Sequence, residues 1–76
     1  MADIPELVAA IARALADHPD AVEVSETTRG RGRAVHLKVA PEDMGRIVGR
    51  EGRVANAIRT LLAAAPDGPW NLEITD

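Results

Sequence analysis

Met44-Gly45-Arg46-Ile47-Val48-Gly49-Arg50-Glu51-Gly52-Arg53-Val54 is the stretch on which the reading of this chain turns. Two glycines flank two long charged side chains, apolar residues lead in, and a helix-forming segment leads out. Glycines three apart let a backbone pass close to another molecule without interference from a Cβ. Where such a turn opens a helix, the unpaired N–H groups of the first turn face whatever approaches, and phosphate is the chemistry they suit.

Downstream of the corner, Val54, Ala55, Ile58, Leu61 and Leu62 fall on one helical face, and Ala63 to Ala65 close that helix. Pro66-Asp67-Gly68-Pro69 is a strong break. Trp70, Leu72 and Ile74 then alternate with Asn71, Glu73 and Thr75, which predicts a strand. Upstream, Pro41 opens a short helix that runs to about Val48, with Glu42 and Asp43 in its first turn, where negative charge is favoured. Before it, Val22 and Val24 alternate with Glu23 and Ser25, and Val35, Leu37 and Val39 with His36 and Lys38. Each run predicts a strand with one buried face. Arg29-Gly30-Arg31-Gly32-Arg33 between them reads as a turn, which makes the pair an antiparallel hairpin. At the N-terminus, Asp3 is placed to cap a helix, Glu6 stands three residues on, and Pro5 is tolerated in the first turn. Ile4, Leu7, Val8, Ile11, Ala12 and Leu15 form its apolar stripe, and His18-Pro19-Asp20 ends it.

The order is therefore α-β-β-α-α-β, an α+β fold in a single domain spanning residues 1–76. A connection through two helices suits parallel neighbours. The second strand should then pair antiparallel with the first and parallel with the third. That gives a three-stranded mixed sheet with three helices on one face and the other face wet.

Composition narrows function. With 76 residues there is room for one core, small enough that a dimer or partner surface is expected. There is no cysteine, so neither disulfides nor zinc-thiolate chemistry are available. The opening residues have no basic start and apolar run, and no stretch approaches a membrane span, which points to the cytoplasm. The net charge of −3 conceals a division. Positions 29–59 hold eight basic residues against three acids, whereas the remainder holds one against nine. The basic part contains the glycine corner, and a local basic patch on an acidic protein can bind polyanions.

Catalysis finds no support. The glycine run ends in Arg-Glu-Gly-Arg, without the lysine-hydroxyl pair of a nucleotide-binding loop, and no dinucleotide fingerprint or metal-ligand spacing appears. Asp17, His18 and Asp20 read as a helix end rather than a metal cluster, and His36 as a surface residue without a nucleophile beside it. No catalytic residue, cofactor or metal is expected. A single tryptophan, Trp70, opens the last strand and reads as a core or interface residue rather than a base-stacking one. The near absence of aromatics argues against a stacking platform for bases.

The element order, with a GxxG corner between the two middle helices, resembles a type II KH domain. The signature is Ile47-Val48-Gly49-Arg50-Glu51-Gly52-Arg53, followed by the helix to Leu62. In length, and in Val39-Ala40-Pro41-Glu42-Asp43-Met44-Gly45-Arg46-Ile47-Val48-Gly49, the chain is similar to the small bacterial single-KH RNA-binding family KhpA. The resemblance implies a non-catalytic protein that binds single-stranded RNA, self-associates and partners a second KH protein, KhpB or Jag. It also implies a role as an RNA chaperone or post-transcriptional regulator linked to cell shape and division. Glu51 departs from the many KH corners that are wholly basic or neutral, and Ala55 stands where many carry a large aliphatic.

A KH corner clamps about four single-stranded nucleotides. Carried onto this chain, the strand backbone would lie over Gly49, Arg50, Glu51 and Gly52, with Arg46 and Arg53 reaching it from the flanking helices. Bases would turn toward Ile47, Val48, Val54 and Ile58, with Leu37 and Val39 of the second strand as the other wall, where backbone groups would read base edges. Lys38 and Arg59 would stand at the rim. Arg29, Arg31 and Arg33 read equally as an RNA-touching loop or as a solvated turn. Two other classes compete. A helix-turn-helix would read DNA through Arg53, Asn56, Arg59 and Thr60. A protein-interaction scaffold would leave the groove idle. RNA and single-stranded DNA are not separated by these residues.

Overall fold

A computed structural model describes residues 3–29, 32–66 and 69–76. The first helix, α1, spans Ile4–Leu15. Strands β1 (Glu23–Arg29) and β2 (Gly32–Lys38) follow, then α2 (Met44–Val48), α3 (Arg53–Ala63) and β3 (Trp70–Thr75). Three short 3-10 turns connect them, at Pro19–Ala21, Pro41–Asp43 and Arg50–Gly52. The sheet order is β1-β2-β3. β1 pairs antiparallel with β2, with Val24 opposite Leu37, and β2 pairs parallel with β3, with Val35 opposite Leu72. This is the expected α+β architecture.

Alternation in the strands decides which face the helices cover. Val35 and Leu37 on β2, and Trp70 and Leu72 on β3, are buried, whereas Lys38, Asn71, Glu73 and Thr75 face water. α1 packs on β1 and β2, α3 on β3, and α2 bridges α1 and α3. Val8, Ala12, Val22, Val39, Ile47, Ile58 and Leu62 complete the core. Val22 supplies the core from the residue before β1 rather than from within the strand.

Several expected boundaries shift. α1 stops at Leu15, and Pro19 opens a separate turn. Asp3 holds the N-cap position, yet its side chain makes no capping bond. The hairpin strands run further than the valine alternation predicts, through Arg29 and from Gly32, because backbone pairing continues where side-chain burial stops. Gly30 and Arg31, the centre of the expected turn, lie outside the described residues, as do Asp67 and Gly68 of the later break. The inner line of α1 is Val8, Ala9 and Ala12, small residues that let the helix approach the sheet; Leu7 and Leu15 are displaced to exposed flanks. Leu61, expected in the core, is 57% exposed.

Asp43 is the sole buried charged residue among those described. Its carboxylate accepts the backbone N–H of Asp17 at 3.0 Å and of His18 at 2.9 Å. Burial by itself would raise the pKa. The bonds from His18 and Asp17, with the charges of His18 and Arg46, outweigh it and hold the carboxyl below its usual value. A depressed folded-state pKa contributes stability above the unfolded-state pKa and loses it as pH falls through the folded one. Asp43→Asn is therefore expected to melt well below the parent chain at pH 7, with the gap closing as the parent's Asp43 is protonated in acid. A melting-temperature difference that stays constant from pH 7 down to pH 3 would contradict this.

Candidate nucleic-acid interface

The corner is built by three departures from ordinary backbone within four residues. α2 is closed by the Gly49 N–H donating to the Gly45 carbonyl at 2.9 Å. Gly49 then takes φ 81° and ψ 169°, a region open essentially to glycine alone. Glu51 is left-handed at φ 58°, and Gly52, also left-handed at φ 75°, becomes the N-cap of α3. The Gly52 N–H donates to the Gly49 carbonyl at 3.1 Å, which closes the turn on itself. No side chain caps α3, and the Arg53 N–H already donates to the Arg50 carbonyl, so only the first-turn N–H groups behind it are left for an incoming acceptor.

The two glycines serve different needs. A Cβ on Gly49 would meet Cγ2 of Val54 at 2.7 Å and the Val54 backbone nitrogen at 2.8 Å. Gly49 is thus required by the packing of α2 on α3, not only by an incoming strand. Gly52 has just the Asn56 side-chain nitrogen at 3.6 Å, so its requirement is the positive φ alone.

The basic residues divide into engaged and free. Arg46 lies 3.1 Å from the Asp17 carboxylate, and Lys38 lies 4.0 Å from Glu23. Arg59 donates to the Asn56 side-chain oxygen at 3.4 Å. Arg33 belongs to β2 rather than a turn, with its guanidinium 5.3 Å from the Trp70 ring centroid. Arg50 and Arg53 are exposed, and among the described residues no carboxylate pairs with either. Glu51 is exposed beside them and likewise has no ion-pair partner among the described residues. Arg33 at the start of β2 and Arg46 beyond its end are separated by the length of that strand, so the basic run in sequence does not fold into one patch.

The expected apolar groove needs correction. Leu37, Val39, Ile47 and Ile58 are buried in the core and present no surface to a base. Val48 and Val54 remain half-exposed on either side of Gly49. The second strand also fails as a wall that reads base edges. β2 is the central strand, paired along both edges, so its backbone groups are already used. The open sheet edge beside α3 belongs to β3. The pairing expected from the sequence already placed the second strand in the middle, and a strand paired on both sides has no free edge to offer.

A shallow hollow of about 710 Å³ lies on the open sheet face, lined by Thr27, Ala34, His36, Asn71 and Glu73 among others. His36 Nδ1 sits 3.0 Å from the Glu73 carboxylate there. Arg33 of the basic run lines it, whereas none of the residues expected at the corner or in its groove does. Among the described residues no group of three His, Cys, Asp or Glu could hold a metal ion, and no helix is long and apolar enough to cross a membrane.

Comparison with known proteins agrees with this architecture. Residues 5–67 match the sequence profile described as KhpA/KhpB, KH domain. The chain is 58% identical over 60 residues to an RNA-binding protein KhpA from Caldanaerobacter subterraneus subsp. tengcongensis, covering 79% of this chain and 80% of that one. It is 45% identical over 74 residues to an RNA-binding protein KhpA from Treponema pallidum, covering 93% and 92%. A KhpA from Mycobacterium tuberculosis is 37% identical over 73 residues, covering 96% and 91%. No solved structure matches the chain.

The glycine geometry predicts unequal costs. Gly49→Ala should lose at least about 2 kcal/mol in urea unfolding, from a forbidden backbone region and an overpacked contact. Gly52→Ala should lose about 1 kcal/mol, from the left-handed φ alone. Equal losses at the two positions would contradict the Gly49–Val54 contact.

Proposed function

The chain belongs to the KhpA/KhpB KH-domain family, and we propose that it is a non-catalytic RNA-binding protein whose GxxG corner clamps the backbone of about four nucleotides of single-stranded RNA. The observation that carries this reading is the pair Arg50 and Arg53, exposed and without carboxylate partners among the described residues, at a helix start that no side chain caps. Phosphates would lie over Gly49 to Gly52, drawn by these two guanidinium groups and by the N–H groups of α3's first turn that follow Arg53. Such contacts hold a strand in place and carry little sequence information.

Arg46 and Lys38 join the contact by exchanging Asp17 and Glu23 for phosphate, an exchange that costs little because both pairs are exposed. Val48 and Val54 form the apolar shoulder beside the corner. Ile47, Ile58, Leu37 and Val39 act from beneath as its support. Glu51 reduces the local positive charge, which keeps the binding weak and reversible. The short α2 of five residues and the mutual bonding of Asn56, Arg59 and Thr60 on α3 disfavour a helix-turn-helix reading.

A weak single site gains avidity from a second one. Exposed Leu61, with Ala57 and Ala64 beside it on α3, favours a protein contact, and we place there either a second copy of this chain or a KhpB/Jag-like partner. Light scattering that finds only monomer at every concentration would refute the self-association. A cytoplasmic location follows from RNA as the ligand. Use as an RNA chaperone or post-transcriptional regulator linked to cell shape and division rests on family resemblance alone.

The test is an RNA titration with Arg50 and Glu51 both replaced by Asp. The folded variant should lose most of its affinity. In the parent chain the log–log salt slope should be roughly −0.7 for each phosphate neutralised. Unchanged affinity in the variant, or salt-insensitive binding in the parent, would remove the corner as the site.

A further inference from the structure

The carboxylate of Asp43 is not used by the clamp, yet it is fully buried and lies six residues before Gly49. By position it is the N-cap of α2, but it makes no bond to α2's own N–H groups. Both oxygens are spent instead on Asp17 and His18, 26 and 25 residues back along the chain. Two ion pairs flank this staple: Arg46 with Asp17 at 3.1 Å, and the His18 imidazole with Glu42 at 3.5 Å. Residues 42–46 are therefore clasped by residues 17–18 at three points.

That clasp matters because α2 has only five residues. Helices so short are not stable by themselves in water. α2 nonetheless carries the fully buried Ile47 and delivers Gly49 to its contact with Val54. Its far end is set by that contact, and its near end by Asp43.

We propose that Asp43 is a positioning residue for the corner: by holding the backbone N–H groups of Asp17 and His18, it fixes the start of α2 to the loop after α1 and so sets where Arg50 is presented. The ion pairs on either side are exposed and supplementary. The bonds to the carboxylate are directional and end on a side chain that is itself fully buried, which makes them the ones that define position. The functional part of this inference rests on the corner being the RNA site; the structural part does not.

The experiment therefore has two arms. The first is native-state hydrogen exchange on the unmodified chain. The amides of Asp17 and His18 should open together with the amide of Gly49, with protection agreeing within roughly threefold. Exchange at Asp17 and His18 more than about tenfold faster than at Gly49 would show that the corner persists when the staple is open, and would overturn the proposal. The second arm measures RNA affinity for Asp43→Asn, Leu72→Ala and Arg50→Asp. Asp43→Asn should weaken binding by about tenfold at a temperature where it remains folded, as expected when a supporting group lets a site drift. Leu72→Ala, a core truncation on β3, should lower the melting temperature while leaving the affinity of folded protein unchanged. Parent-like affinity in Asp43→Asn alongside lost affinity in Arg50→Asp would reduce Asp43 to a stability element. Parent-like affinity in both would remove the corner as the RNA site, and the exchange arm would still decide whether Asp43 positions it.

Discussion

At the corner, a Cβ on Gly49 would stand 2.7 Å from Cγ2 of Val54 and 2.8 Å from its backbone nitrogen, so α2 and α3 meet at a separation that only glycine permits. The rest of the corner's surface follows from that approach. It brings the half-exposed Val48 and Val54 to either side of Gly49, leaves α3 without a side-chain cap, and turns Arg50 and Arg53 outward. The same constraint explains a residue that local propensity disfavours. Glu51 takes a left-handed conformation because the chain must reverse within the three residues between Gly49 and Arg53.

Electrostatics then divides labour among residues that look alike in the sequence. Of the arginines and the lysine between positions 29 and 59, Arg46, Lys38, Arg59 and Arg33 all have neighbours that occupy them. What distinguishes Arg50 and Arg53 is that, among the described residues, no side chain bonds to or pairs with either. Segregation of charge along the sequence is thus a weaker statement than segregation in space. The positive run is distributed over β2, α2, the corner and α3, and the corner is where two of its charges stay unpaired.

Much of the fold was legible because its signals are local. Alternation in Val35-His36-Leu37-Lys38 and in Trp70-Asn71-Leu72-Glu73 predicts two strands with one buried face each, and both are present. The corner announces itself through glycine spacing. What escaped was set at long range. Asp43 looks like a helix-favouring acid in a first turn, and nothing near it in sequence reveals that its partners are the backbone amides of Asp17 and His18. The groove floor was misjudged for a similar reason. Ile47, Ile58, Leu37 and Val39 have the right chemistry for a base-facing wall, but a core this small has to bury them. Leu61 errs in the opposite sense: the buried line of α3 is Ala55, Ile58 and Leu62, and Leu61 falls at the edge of that arc, 57% exposed.

The account stands or falls on where RNA touches the surface. The direct measurement is mapping of backbone amide chemical shifts while a short single-stranded RNA is titrated into the labelled protein. The account predicts that the largest changes fall on residues 48–55, with the open-face amides of Ala34, His36 and Glu73 unmoved. Changes concentrated on that open face, with Gly49, Arg50 and Gly52 silent, would contradict it.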